Sequence, residues 1–419
     1  MTEWLDKHNR LALLGILAIG LLVRAYLLPT AGFALDLEQH FEWADCALES
    51  SWVGMYNCAT PITHPPINPS IYGLIIGALR GLGADVSRFD GNSLSVAALK
   101  IHLVVAELLI VLLAFGLVKE RSGPRWALLA AALLCWNPGW MVVTAWWGQN
   151  DASYSLFMLL VAALAARQRP RWAWAAYALA WLAKFQSIMF LPVFAVLSVR
   201  WFGWRRTAQG AGLFTLVILT VMLPFVLGSG KNALHPFGGT VNLFPYITNG
   251  AYNFWFWVSG SSPTVLLDSL PLVGTVTYQQ GGLILLSIGT ALLCLRAWFS
   301  RSIDEIYLIF AGAVFVFYML PTQIQVRYLY PGLMFLAVAL ALARDRRLLV
   351  VYLGASLAFT YNVFDIVWLG VGLLYYPSQL MVWNETHTAL GMTVVFLIFM
   401  GLLLKPLAAL RLGGLKATG

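Results

Sequence analysis

The stretch Leu11-Ala-Leu-Leu-Gly-Ile-Leu-Ala-Ile-Gly-Leu-Leu-Val-Arg-Ala-Tyr-Leu-Leu28 reads as one membrane-crossing helix, with a single charge at Arg24 and no alternation of apolar with polar positions. A hydrocarbon core roughly 30 Å thick takes about 20 apolar residues in helical form. Runs of the same kind recur along the chain with short polar breaks between them. Of the 419 residues, 60% are hydrophobic and 11% charged, and the mean hydropathy is +0.78. That composition excludes a soluble enzyme. In lipid, helices and closed barrels are the structures that satisfy every backbone group, and Leu/Ala/Val-rich runs without period-two alternation favour helices. The expected fold class is an all-α membrane protein, a polytopic helical bundle forming a single domain over residues 1–419.

A signal peptide is the competing reading of the first run, but no small-residue cleavage site follows Leu28, so a retained span is expected. Further spans are expected near 11–29, 95–118, 126–146, 151–166, 172–185, 187–200, 208–227, 280–299, 306–321, 327–343, 347–366 and 388–404. These make about twelve crossings and put both termini on one side. Lys and Arg concentrate in cytoplasmic loops. The clusters Lys119/Arg121/Arg125, Arg167/Arg169/Arg171, Arg200/Arg205/Arg206, Arg296/Arg301 and Arg344/Arg346/Arg347 therefore orient the bundle in the inner membrane, with both termini in the cytoplasm. The net charge of +8 follows from that topology and from contact with anionic membrane lipids, so no nucleic-acid partner is implied.

Two large outer loops result, residues 30–94 and 228–278. Within the first, the apolar stretch from Ile71 to Leu79 is too short to cross and reads as an interfacial helix. Residues 172–200 are short for two spans, which sinks Lys184-Phe-Gln186-Ser187 into the bundle as a hairpin tip. Cys46 and Cys58, both in the outer loop, are able to close a small disulfide ring, whereas Cys135 and Cys294 fall in spans.

The first outer loop packs Asp36, Glu38, His40, Glu42, Asp45 and Glu49 into fourteen residues directly after a span. Helical spacing puts Glu38, Glu42, Asp45 and Glu49 on one face. Those four read as the solvated side of an interfacial helix whose Phe41, Ala44 and Leu48 dip toward lipid. Asp36 does not fit that role and stands at the bundle mouth. A carboxylate there suits one reaction class, sugar transfer from a phospholipid carrier to a hydroxyl, which needs a base for the hydroxyl proton and a counter-charge for the departing phosphate. Lys184 and Arg327, at outer span ends, are the candidate counter-charges, because intramembrane charges usually face a cavity. A divalent cation such as Mg or Mn has candidate ligands in Asp36, Glu38, His40 and His64, although their spacing carries no metal signature. Asp151 either caps the helix that begins there or binds substrate. Most of the many Trp residues read as interfacial anchors, and Asp268, Asp365 and Glu385 have no assigned role.

These residues also resemble a family. Ala34-Leu-Asp36-Leu-Glu38 with Phe41-Glu-Trp43-Ala44, His64-Pro65-Pro66 and Tyr72 is similar to the first outer loop of the GT-C glycosyltransferases. In that superfamily an acidic pair follows the first span and a Tyr-Pro-Pro-like turn closes the loop. Trp147-Gly148-Gln149-Asn150-Asp151 looks like its Gly-Gln-x-Asp element and Lys184-Phe-Gln186 like its Lys-Pro-Gln element. Ala251-Tyr252-Asn253-Phe-Trp255 looks like Ala-Tyr-Asn-x-Trp, and Gln325-Val326-Arg327-Tyr328 like His-Glu-Arg-Tyr. All five fall on the outer side of a topology drawn without them. The resemblance implies a polyprenyl- or dolichyl-phosphate mannose or glucose donor, a glycan, lipid-linked or protein acceptor, and inverting transfer. It also implies Asp36 as base, with Glu38, Gln149, Asp151, Lys184, Gln186, Tyr252, Asn253, Arg327 and Tyr328 as substrate-binding residues. The chain departs from the pattern at Gln325, Val326 and His64. Rival readings are a twelve-span transporter or flippase, which would show internal repeats, and an O-antigen ligase or polymerase built on the late outer loop.

Overall fold

The computed structural model describes residues 8–86, 93–238, 243–259, 266–370 and 378–404. Both chain ends, expected in the cytoplasm, lie outside the described residues, as do parts of the two outer loops. The chain begins with α1 (Asn9–Leu27), α2 (Ala34–Glu49), α3 (Ile67–Gly81), α4 (Ser93–Ser122), α5 (Pro124–Cys135) and α6 (Pro138–Met141). It continues through α7 (Asp151–Ala166), α8 (Pro170–Ala183), α9 (Leu191–Ser229), α10 (His235–Gly238) and α11 (Phe254–Val258). A small hairpin of β1 (Pro271–Val273) and β2 (Val276–Thr277) precedes α12 (Tyr278–Trp298). The last four helices are α13 (Ile306–Met319), α14 (Tyr330–Ala343), α15 (Arg346–Gly370) and α16 (Ser378–Leu404).

Proline marks several starts. Pro124, Pro138 and Pro170 open α5, α6 and α8, and Pro331 sits in the first turn of α14, where the missing N–H costs nothing and the fixed φ is already helical. The capping box of Thr277 and Gln280 starts α12.

Each segment expected to span the membrane falls on helix. Among the described residues, seven helical stretches are long and apolar enough to cross, or eight if Pro124–Cys135 and Pro138–Trp147, bent by 48°, make one. Three expected spans rest on shorter helices, α7 with 16 residues and α8 and α13 with 14 each, which reach about 21–24 Å at 1.5 Å per residue. The expected spans 187–200 and 208–227 are the two arms of one nearly continuous stretch, Phe185–Gly238, whose helix α9 breaks at Gly203 with φ 77° and ψ 162°.

Burial sorts these helices into a centre and a shell. Helix α13 is buried along almost its whole length, as is α14, which is what a helix apolar on every side requires. Phe190 and Phe310 each meet Phe335 edge to face and tilt against one another. The shell helices present apolar stripes outward, for example Leu216, Leu219, Leu223 and Leu227 on α9. Their spacing of three and four residues covers one helical face, and such stripes around a bundle belong in lipid.

A second, smaller core lies under α2. Phe41, Trp43, Ala44 and Ala47 of α2 pack on Tyr72 and Ile76 of α3 and on Met222 and Phe225 of α9. Phe41 and Ala44 therefore face protein, correcting the expectation that they dip into lipid, while Glu38, Glu42 and Glu49 stay on the solvated side. Asp45 pairs with Arg80 of α3 at 2.6 Å, and Cys46 is paired with Cys58, Cα to Cα 6.1 Å.

Inside the bundle Arg24 forks onto Glu107, Nε to Oε2 2.9 Å and Nη2 to Oε1 2.8 Å, with both side chains fully buried. Nη1 donates to the carbonyls of Gly20 and Cys135, and Thr144 Oγ1 donates to Glu107. Breaking such a pair leaves an uncompensated charge, which costs about 3–5 kcal/mol, whereas removing both partners costs far less. Arg24→Met is expected to lower unfolding stability in detergent by that amount and Arg24→Met with Glu107→Met by much less. Equal losses in the two proteins would show that the ion pair is not what holds α1 to α4.

Candidate active site

Two backbone devices deliver the first group of side chains. Helix α6 continues as a π-helical turn over Val142–Trp147 and ends at Gly148, with φ 85° and ψ 30°. A Cβ added to Gly148 would stand 2.6 Å from Leu37 Cδ2 and 3.0 Å from the side chain of Lys100. Glycine is therefore needed both for the left-handed turn and for the approach of this segment to α2, beside Asp36. Lys100 of α4, fully buried, fastens the same junction: its Nζ donates to the carbonyls of Thr30 and Ala145 at 2.7 Å and lies 3.2–3.3 Å from those of Leu27 and Trp146. One ammonium group so ties the end of α1 to the turn that carries Trp147 and Gln149.

The result is a carboxylate held from one side. Asp36, in the first turn of α2, accepts Trp147 Nε1–H at 2.8 Å and Gln149 Nε2–H at 2.6 Å, both on Oδ2. Asp36 lines the cavity, and neither bond uses its other oxygen, Oδ1.

The second group comes from the other half of the bundle. Lys184, in extended backbone after α8, donates to Asp151 Oδ1 at 2.9 Å, and both side chains are fully buried. Arg327 Nε approaches Asp151 Oδ2 at 3.6 Å. Asp151 thus serves two cations and its side chain caps no helix; the N-cap of α7 is Asn150, which makes no side-chain cap bond. Arg327 is aimed by the preceding strand-like segment, where Asn249 N–H donates to Ile324 O and Gln325 bridges to Asn249 and Gly250. Its guanidinium lies 5.1 Å over the Trp147 ring and 5.9 Å from that of Tyr328. Trp147 therefore touches both halves, with its N–H on Asp36 and its ring face on Arg327.

Between the halves lies a cavity of 460 Å³. Asp36, His40, His64, Gln149, Gln186, Arg327 and Tyr328 line it, with Gln39, Thr63, His235, Gln323 and Gln325. Gln186 Nε2 donates to Tyr328 Oη at 3.0 Å. The structure thus brings together five of the catalytic and substrate-binding candidates, Asp36, Gln149, Gln186, Arg327 and Tyr328, with two of the candidate metal ligands, His40 and His64. Lys184 and Asp151 stand behind them as a buried pair, so direct contact of Lys184 with a ligand is not what the geometry offers.

Three candidates lie elsewhere. Glu38 is exposed on the outer face of α2 and does not line the cavity. Asn253 caps α11, accepting from the N–H groups of Trp255 and Phe256, and donates to Tyr318 O. Tyr252 Oη donates to Asp365 at 2.6 Å, and Asn362 accepts its N–H at 3.0 Å. The motif containing these two residues anchors the late outer loop to α13 and α15. Of the candidate metal ligands, Asp36, His40 and His64 line the cavity and Glu38 does not; among the described residues no group of three or more His, Cys, Asp or Glu is placed to hold a metal ion. Lys100, Gln39, Thr63, His235 and Gln323 were not singled out from the sequence. A Lys amid an apolar run was the one signal available for Lys100.

No family model matches the sequence, and no curated protein does. The fold does have solved relatives. The structure of ArnT from Cupriavidus metallidurans bound to undecaprenyl phosphate matches with a TM-score of 0.53 at 16% identity, covering 93% of this chain and 77% of that one. The same protein in the apo state matches with a TM-score of 0.51 at 17% identity, covering 93% and 76%. The chain shares its fold with these two structures.

The closeness at Gly148 has a measurable consequence. Gly83, which caps α3 with φ 79°, has open space around its Cβ position. Gly83→Ala is expected to cost the backbone strain alone, about 1–2 kcal/mol, and Gly148→Ala distinctly more in the same thermal unfolding assay. Equal shifts would remove the contact with Leu37 and Lys100 as a constraint on the site.

Proposed function

We propose that this chain is a glycosyltransferase that moves a hexosyl group, mannose or glucose, from a polyprenyl-phosphate carrier to an acceptor hydroxyl on the non-cytoplasmic side of the membrane. The observation that carries the reading is the single cavity in which Asp36 and Arg327 meet across Trp147. The shared fold adds support, since ArnT was solved with undecaprenyl phosphate bound. The Arg-rich loops support the orientation by the positive-inside rule.

The chemistry follows from the charges. The acceptor oxygen attacks the anomeric carbon, the bond from that carbon to the phosphate oxygen breaks, and the carrier leaves with the bonding electrons. Asp36 takes the hydroxyl proton in the same step. The phosphodiester donor carries one negative charge and the departing lipid phosphate two. Asp36, Asp151, Lys184 and Arg327 sum to zero before the step and to +1 once Asp36 is protonated, so the pocket gains positive charge as the phosphate gains negative charge. Arg327, at the cavity wall, is the cation that meets the phosphate. Lys184 pairs closely with Asp151, so Arg327, at 3.6 Å, is not held entirely by that carboxylate. Arrangements that are already oriented when charge develops are the effective ones.

A charge-assisted contact to phosphate contributes about 1.5–3 kcal/mol. Arg327→Gln is therefore expected to weaken binding of undecaprenyl phosphate by roughly ten- to a hundredfold in nanodiscs. Unchanged affinity would remove Arg327 from the phosphate site.

A further inference from the structure

Three imidazoles line the cavity and take no part in the step described above, His40, His64 and His235, and the first two lie against each other. His40 follows Asp36 by one turn of α2, and His64 comes from the loop before α3. His40 is 3% exposed and stacks on Tyr72 at 4.9 Å and 20°. Trp43 tilts against both imidazoles at 5.1 Å, and the two meet edge to face at 6.2 Å. Their positions are fixed from outside the cluster: Tyr56 Oη donates to His64 O at 3.0 Å, and Asn68 of α3 donates to Ala183 O at 2.8 Å, next to Lys184.

The hydrogen bonding of the pair is incomplete. His40 Nδ1 is buried without a partner, and His64 Nδ1 has Thr63 Oγ1 at 3.2 Å. Buried polar atoms are nearly always bonded, and an aromatic bed alone would be served as well by Phe. Burial, followed by the field of Lys184 and Arg327, holds both imidazoles below their ordinary value, His40 at about 3. Both are neutral near pH 7. A neutral imidazole presents one N–H donor and one acceptor, which matches a hydroxyl group, itself donor and acceptor. It carries no charge with which to compete with Arg327 for phosphate.

We propose that His40 and His64 form a wall of the cavity that binds the uncharged hydroxyls of a sugar, dividing recognition between neutral imidazoles for the sugar and Arg327 for the phosphate. The inference rests on the glycosyltransferase reading of the same cavity. The sugar is either the hexosyl group of the donor or the glycan of the acceptor, and the chemistry of the contact is shared.

The test uses full-length protein in nanodiscs and three kinds of probe: bare undecaprenyl phosphate, its mannosyl and glucosyl esters, and neutral manno- and gluco-trisaccharides. His40→Phe and His64→Phe keep the rings and remove the hydrogen bonds, and His40→Gln and His64→Gln restore bonding without the ring. A donor-sugar wall predicts that the preference for sugar-bearing over bare lipid phosphate falls at least tenfold in the Phe variants and partly returns in the Gln variants. An acceptor wall predicts the same loss for a trisaccharide. In either case bare undecaprenyl phosphate binds the variants as it binds the wild type, which also shows that they are folded. Unchanged sugar binding in both Phe variants overturns the proposal, as does a wild type that distinguishes no sugar-bearing probe from its bare counterpart. Failure of wild type to bind bare undecaprenyl phosphate overturns the glycosyltransferase reading instead.

Discussion

Charge inside an apolar bundle must be matched where it stands, because water is not there to do it, and that constraint arranges this molecule. Three buried cationic centres show three solutions. Arg24 has Glu107 and two carbonyls, Lys100 has four carbonyls, and Lys184 has Asp151, which it shares with Arg327. Each solution joins segments far apart in the chain. Arg24 binds α1 to α4 and α5, Lys100 binds the loop before α2 to the π turn, and Asp151 joins the start of α7 to the ends of two other helices. Packing of Leu and Ala fills the space between helices, but these polar joints decide which ends meet.

The cavity is the place where matching is left open toward a ligand. Asp151 is outnumbered by its two cations, and Asp36 stands across the indole of Trp147 from Arg327. The indole keeps the two apart while bonding one and stacking on the other. A direct Asp36–Arg327 pair would leave neither a base nor a phosphate-binding cation. In this account Trp147 is the positioning residue on which the chemistry depends, and Gly148 and Lys100 are what put it there.

Much of this was legible in the sequence for a physical reason. Apolar runs report lipid contact directly, so each expected span falls on helix, and polar residues at span ends stand out against them. Asp36, Gln149, Gln186, Arg327 and Tyr328 were found that way and share one cavity. Helix lengths were less legible: hydropathy separated the two arms of α9 on either side of Gly203, but it did not show how short α7, α8 and α13 are. Partners were not legible at all. Arg24 and Glu107 are 83 residues apart and Lys100 and Ala145 are 45, and nothing local in either segment names the other. Tyr252 and Asn253 resemble a family motif, but their side chains are spent on a helix cap and on Asp365 and Tyr318.

The central claim is that Asp36 takes the proton of the attacking hydroxyl. The most direct measurement is transfer of hexose from synthetic undecaprenyl-phosphate mannose and glucose to a panel of glycan, lipid-linked and peptide acceptors, by purified wild type and Asp36→Asn. The substitution keeps the shape and the hydrogen-bond acceptor for Trp147 and Gln149 while removing basicity. Transfer by the wild type with a loss of about 10²–10⁴-fold in the variant, at unchanged affinity for the lipid phosphate, is the result this account predicts; full transfer by Asp36→Asn would contradict it.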